Sequence, residues 1–426
     1  MHGFSSKKQC CELTRQRIVG AIAISMAWQF YFSSPVVRRW RRLENKTSTI
    51  FAKGMLTLRF SVTSSNCASS LNPRVLRFKI GYTTALDRRI AELVGTKPPP
   101  DLAARIQRQN EEAAKLLETD VATSKEFADK MGRRFVLPEY LIKPKCSATS
   151  KSFDWRKAGA VTGVRQQQCG NCWAYASMAA LEASYLIRNT WTIDGSEQYI
   201  VNCAVDKDGN DAGACSGGWH AGVFDYMISD GVATEASLTD TGTDGTCNTG
   251  LPIPYRAVVW DYVAAQPLAA GFESSLPTVD AMKQALCEHG PLAAAVLATD
   301  TFQVYTDDVF NEVLPDSTLT PVDPNTGKKF HSVNHDVLVI GWDDAKGAWL
   351  IKNSWGTGWG NTAGLGTERG YMWIAYGSNN IGLGAAWVHA RNNFYKLPPK
   401  YFEQIRVKPF PDPGPLRFEE TFGARF

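Results

Sequence analysis

The chain has 426 residues, of which 44% are hydrophobic and 21% charged, a balance that supplies one large core or two and excludes a low-complexity or fully disordered polymer. Its net charge of +4 is uneven: residues 1–97 hold 17 Lys/Arg against 4 Asp/Glu, residues 98–147 hold 9 against 8, and residues 148–426 hold 20 against 30. The strongly basic, Ser-rich start reads as a leader over 1–97, for targeting or for facing a membrane; no nucleic-acid-binding motif accompanies it, so nucleic acid is not expected as a partner.

Within that leader, Ile18 to Val37 is a 20-residue run without charge, flanked by Lys7, Lys8, Arg15 and Arg17 before it and by Arg38, Arg39, Arg41 and Arg42 after it. The pattern is that of a signal segment or a signal anchor, so membrane contact is expected through 18–37; a buried helix is the plainer alternative. Residues 43–97 carry no motif. Lys97-Pro98-Pro99-Pro100 then reads as a stiff linker, because consecutive prolines favour extended chain. From Asp101 to about Leu117, the spacing of Leu102, Ile106, Ala113, Leu116 and Leu117 predicts an amphipathic helix, which taken alone is an ordinary solvated one.

The stretch with chemistry in it is Gln166-Gln167-Gln168-Cys169-Gly170-Asn171-Cys172-Trp173, where Cys172 opens an Ala-rich apolar run that predicts a helix to about Arg188. A thiol at a helix N-terminus meets free N–H groups and the positive end of the dipole, so its pKa should fall. Far downstream, His335 stands just before Val337-Leu338-Val339-Ile340, a β-branched run bounded by Gly341, which places an imidazole at the mouth of a buried strand. Helical patterning dominates from Cys172 to about Gly231 and strand patterning from about Ala293 onward, which makes the fold class α+β. The runs Thr239 to Thr249 and Leu314 to Gly327 read as surface loops.

These residues resemble the papain-like cysteine peptidases of cathepsin type, whose signature has a Cys-Gly-Ser/Ala-Cys-Trp/Tyr core with His and Asn far downstream; Asn171 stands here where Ser or Ala is usual. Further matches run in order through Phe153-Asp154-Trp155-Arg156, Gly195-Ser196-Glu197-Gln198, Cys215-Ser216-Gly217-Gly218-Trp219, Asn334-His335-Asp336-Val337 and Asn353-Ser354-Trp355-Gly356. The resemblance implies a peptidase domain over 148–390, with a helical lobe and a β-barrel-like lobe facing each other across a cleft. It makes Cys172 the nucleophile, His335 its base and Asn353 the group that orients the base, with Trp355 shielding that contact, and Gln166, six residues before Cys172, the side-chain oxyanion donor. Gly217 and Gly218 become a backbone edge for an extended peptide, with Trp219, Val333, Asn334, Trp359 and Ala386 also contacting substrate. Since Trp219, Val333 and Ala386 include no acid, an apolar residue is expected at the second position before the cut, with arginine poor there. No paired-histidine insertion lies between Cys203 and Cys215, so endopeptidase action is expected.

By the same resemblance, Cys169 pairs with Cys215 and Cys203 with Cys247, each bridge worth up to roughly 4 kcal/mol in the chain-entropy model, and an oxidising secretory route follows, toward a lysosome-like compartment or the cell exterior. Cys10, Cys11, Cys67, Cys146 and Cys287 are left without partners, and the family's third bridge is not expected. No metal or cofactor is expected; a zinc site at Cys169, Cys172, Cys203 and Cys215 is the weaker alternative, because only one close ligand pair exists. Residues 98–147 are similar to an inhibitory prosegment through Ile106-Gln107-Arg108-Gln109-Asn110 and Phe127-Ala128-Asp129, so the chain's own prosegment joins protein and peptide substrates as a partner. Activation by cleavage between about Tyr140 and Ser152, favoured by acid, follows from that reading. The tail over 391–426, rich in Pro, Phe and Arg, is expected to be a surface extension. A different Cys-His acyl-transfer enzyme and an inactive binding homologue are the competing functions; the intact Cys, His and Asn argue against the second.

Overall fold

The computed structural model describes residues 78–130 and 146–391. The 18–37 segment and the 391–426 extension therefore lie outside the described residues, apart from Arg391 itself. No helix among the described residues is long and apolar enough to cross a membrane.

Helix α3 (Cys172–Asn189) is the centre of the molecule. Its sequence is Ala-rich, and small side chains let neighbouring elements approach on every side, so 14 of its residues are buried rather than one stripe. It ends where Thr190 takes a left-handed conformation and its N–H returns to the Leu186 carbonyl. Two further helices complete this lobe: α4 (Glu197–Cys203), capped by the Ser196 hydroxyl accepting from the Tyr199 N–H, and α5 (His220–Ser229).

Opposite them lies a sheet whose strands are β1 (Phe78–Ile80), β2 (Ser152–Asp154), β5 (Ala257–Tyr262), β6 (Leu292–Val296), β7 (Tyr305–Phe310), β8 (His335–Asp343), β9 (Ala348–Lys352), β10 (Tyr371–Ala375) and β11 (Leu383–Ala390). The strand order is β1-β7-β10-β9-β8-β6-β11-β5, with β2 on β8. β6 and β9 are buried at every position and β8 at all but its last, which is why these strands read as continuous apolar runs. A two-stranded ribbon, β3 (Gly213–Ala214) with β4 (Gly217–Gly218), packs on the helical lobe, β3 against α4 and β4 against α3. Helices on one side and strands on the other agree with the α+β reading. The loop 239–249 contains no helix or strand, whereas 314–327 holds one short helix at Asp316–Leu319, started by Pro315.

Three disulfides brace the described chain: Cys169–Cys215, Cys203–Cys247 and Cys146–Cys287. The third was not expected, and its 141-residue separation explains why no spacing pattern announced it. Because Cys169, Cys203 and Cys215 are consumed in bridges, the zinc alternative loses its ligands.

Ahead of the peptidase-like region come α1 (Ile90–Leu93) and a long helix α2 (Leu102–Lys130). α2 extends well beyond the stretch of apolar spacing, through residues 118–130, which carry no hydrophobic stripe and no Gly or Pro to stop a helix. Strand β1 pairs with β7, so residues 78–97, which the sequence assigns to the leader, include a strand that packs on the domain.

Candidate active site

Cys172 is the first residue of α3 and is completely buried. What buries it is residues 93–97. The N–H groups of Gly95 and Thr96 both donate to the Asn334 carbonyl at 2.9 Å, Lys97 N–H donates to the Gly218 carbonyl at 2.8 Å, and Gly218 N–H donates to the Gly95 carbonyl at 2.8 Å. Thr96 thus runs parallel to Gly218 as an added strand, and its hydroxyl lies 3.6 Å from Cys172 Sγ. Gly95 passes so close to Gly170 that a Cβ would sit 1.8 Å from its carbonyl oxygen; only glycine fits.

His335 opens β8, and its Nε2 lies 2.7 Å from Asn353 Oδ1. An amide oxygen only accepts, so Nε2 carries the proton and Nδ1 keeps a lone pair. Nδ1 is buried and has no hydrogen-bond partner among the described residues, which leaves it for a proton from the thiol. Trp355 packs on the imidazole with centroids 4.7 Å apart.

The expected low thiol pKa is not what the closed chain has. Burial, and secondarily the Asp336 charge, pushes the Cys172 thiol up to about 12, against the smaller opposing effects of the Thr96 hydroxyl and the Asp336 and Gly95 amides. Burial likewise lowers His335 to about 4, although Asn353 and Asp336 pull the other way. Desolvation disfavours the charged form of each group, and here it overrides the helix dipole, so the pair is held neutral under residues 93–97.

The glutamine that faces inward is not the one that the resemblance selects. Gln166 is exposed, while Gln167 is fully buried. Extended backbone puts successive side chains on opposite faces, and this segment's pairing beside Ser354 and Trp355 turns Gln167 inward. Gln167 Nε2 donates to the Leu93 carbonyl at 3.2 Å and to the Cys169 carbonyl at 2.6 Å, and its Oε1 accepts from the Ser354 hydroxyl at 2.7 Å. Trp355 Nε1–H donates to the same Leu93 carbonyl at 3.2 Å. Two side-chain donors thus converge on one carbonyl of the chain lying in the cleft.

Of the substrate-contact residues, Gly217 and Gly218 form β4 on the cleft edge, and the Asn334 carbonyl takes two cleft-chain N–H groups. Trp219 is buried with its indole N–H on the Tyr262 hydroxyl at 3.0 Å, Val333 is half-buried, and Ala386 is buried in β11 opposite Ala293. Trp359 departs from expectation: fully buried, it donates to the Phe302 carbonyl at 3.1 Å and stacks on the Phe302 ring, which makes it core beneath the site rather than a substrate contact. The sequence reading missed a buried pair, His220 Nδ1 and Asp336 Oδ1 at 3.1 Å, which joins α5 to β8 under the cleft, with His220 Nε2 2.8 Å from the Gly384 carbonyl. The signal was Asp336 itself, a carboxylate next to His335 at the start of a buried strand.

Comparison with known proteins now bears on this arrangement. The profile described as papain family cysteine protease matches residues 149–390. Cysteine proteinase 2 of Entamoeba histolytica is 31% identical over 240 residues, covering 55% of this chain and 66% of that protein. Cathepsin L of Sarcophaga peregrina is 33% identical over 258 residues, covering 59% of this chain and 64% of that one. The chain thus spans just under two thirds of the length of these relatives. In fold it is similar to the digestive procathepsin L2 proteinase of Tenebrio molitor larval midgut, with a TM-score of 0.50 and 23% identity over 74% of this chain and 84% of that one. With the profile covering more than half of its length, and with Cys172, His335 and Asn353 gathered around one cleft, the chain belongs to the papain family of cysteine proteases.

Proposed function

We propose that the chain is the zymogen of a cysteine endopeptidase that cuts protein and peptide chains. The observation that carries the reading is the peptide already lying in the cleft: residues 93–97 occupy the Gly218 edge and cover the thiol. When that segment leaves, water returns to Cys172 and His335, and the desolvation that holds both neutral is lifted. His335 Nδ1 then takes the thiol proton, and the thiolate is stabilised by the α3 N-terminus. The thiolate sulfur attacks the scissile carbonyl carbon. The resulting oxyanion accepts from the Cys172 N–H and from Gln167 Nε2–H. His335 returns its proton to the departing amine, leaving a thioester; it then takes a proton from water, whose oxygen displaces the sulfur and releases the acid product. Asn353 holds the imidazole in the needed tautomer throughout. A secretory or lysosome-like setting fits the disulfides and the cathepsin relatives.

Latency has an electrostatic component. Lys79 pairs with Asp307 at 2.8 Å and Arg105 with Asp206 at 3.0 Å. Burial works against ionisation of both aspartates, yet the Lys79 contact holds Asp307 low, and bonds from Asn210 and Arg105 hold Asp206 low. Depressed carboxylates contribute docking that is complete above the free aspartate pKa of about 3.9 and is lost as pH falls through the bound value. The full chain is therefore expected to resist a peptidyl epoxide at neutral pH and to label at Cys172 after brief exposure below about pH 4. Rapid labelling at pH 7 without cleavage overturns latency, and labelling of Cys172→Ala overturns the nucleophile.

Specificity is the second test. A peptide library is expected to favour apolar residues at the second position before the cut, over Trp219, Val333 and Ala386, with arginine poor because none of these three is acidic. A profile led by arginine contradicts this.

A further inference from the structure

The residues ahead of the peptidase region do two separable jobs, and their order along the chain matters. Residues 93–97 block the cleft. Helix α2 follows them and lies along β5, the terminal strand of the sheet. There Gln109 Nε2 donates to the Trp260 carbonyl at 2.8 Å and Asn110 Nδ2 to the Tyr262 carbonyl at 3.0 Å, while Asn110 also reaches Asp261 at 2.8 Å. Leu102, Ile106, Ala113 and Gln109 are buried in this contact. Arg105 and Glu112 add ion pairs to Asp206 and Lys207. Substrate can replace every backbone bond made by residues 95–97, because those are strand-type bonds to the cleft edge. Nothing about substrate binding replaces α2, whose loss would bare a sheet edge and leave two carbonyls without partners.

A cavity of about 350 Å³ continues the cleft past Gly217 and Gly218, between α2 and the loop at Asp206 to Gly213. Arg105, Arg108 and Gln109 form its α2 side, and Trp219 and Trp260 contribute apolar surface. The blocking segment leaves through it by way of Lys97 and Pro99. The three bonds from Lys97 to Pro100 are all X-Pro. Proline lacks the N–H with which an extended chain pairs in a cleft, so these three bonds are poor sites for a cut.

Building on the peptidase reading, we propose that α2 is a permanent part of the working enzyme. The activating cut falls before Pro98, and the retained helix is the far wall of a pocket for the third and fourth residues upstream of the scissile bond. The preferred substrates are accordingly extended peptides with at least four residues on that side.

The test activates the purified full chain and reads the N-terminus and intact mass of the species that a peptidyl epoxide labels, then compares kcat/KM for acyl-dipeptide and acyl-tetrapeptide reporters. The expected species begins at or before Pro98 and contains α2. It should favour the tetrapeptide, and Arg108→Ala, at a half-exposed position, should erase about fivefold of that preference. A labelled species that begins beyond Lys130 and has lost α2 overturns the proposal while the peptidase reading stands. Equal effects of Arg108→Ala on both reporters overturn the subsite. An uncleaved chain that labels fully at neutral pH removes the zymogen reading as well.

Discussion

His335→Ala is expected to lower kcat/KM of the activated chain on the order of 10⁴-fold or more, because the imidazole serves as base in both halves of the cycle and its Nδ1 has no hydrogen-bond partner among the described residues. The size alone does not separate chemistry from misfolding, since His335 is buried in β8. Alkylation kinetics do. The activated wild type should react with iodoacetamide at pH 5–6, where an unassisted thiol of pKa about 8.5 is almost wholly protonated. In His335→Ala that acid-side reactivity should vanish while alkylation above pH 9 persists on a folded protein. Asn353→Ala should keep part of the acid-side reactivity, since it loosens the ring rather than removing it. Unchanged reactivity at pH 5–6 in His335→Ala would exclude the pair.

The second large effect separates two neighbouring glutamines. Gln167→Ala is expected to cost about 10²–10³ in kcat, or roughly 3–4 kcal/mol, with little change in KM, as for loss of one oxyanion donor. Gln166→Ala should cost less than about threefold, in line with a surface substitution. The contrast follows from Gln167 donating toward the Leu93 carbonyl in the cleft while Gln166 is exposed. Because Gln167 also accepts from Ser354, Gln167→Glu is the control: it keeps the acceptor and the shape but loses the donor, and should be nearly as poor as alanine. The reverse ranking would restore the register chosen by family spacing.

What could be read from sequence was whatever has a local cause. Cys172 opens an apolar Ala-rich run, and that run is the helix. His335 heads a β-branched stretch, and that stretch is a buried strand. The glutamine register was not legible, because three consecutive identical residues carry no phase and only pairing with the Ser354 segment decides which one turns inward. Residues 93–97 were not legible either: a single strand laid in a cleft has no periodicity of its own, and its one clue, Gly95, acquires meaning only once Gly170 lies against it. Trp359 belongs to a stretch that matches the family, yet matching does not say whether a side chain faces the ligand or the core. The Gly217–Gly218 edge was placed by resemblance, and here it carries a strand of the chain itself.

The Cys146–Cys287 bridge has a consequence for where cutting can be productive. Cleavage at 147–152 would sever the backbone yet leave everything before it attached through sulfur, as an inhibitor on a short leash. A leash of that kind holds a local concentration in the millimolar range, so even a blocking segment of micromolar affinity would occupy the cleft about 99.9% of the time. A nick there is nearly silent until a reductant opens the bridge, and the same nick followed by mild thiol becomes a second, redox-gated route to an open cleft.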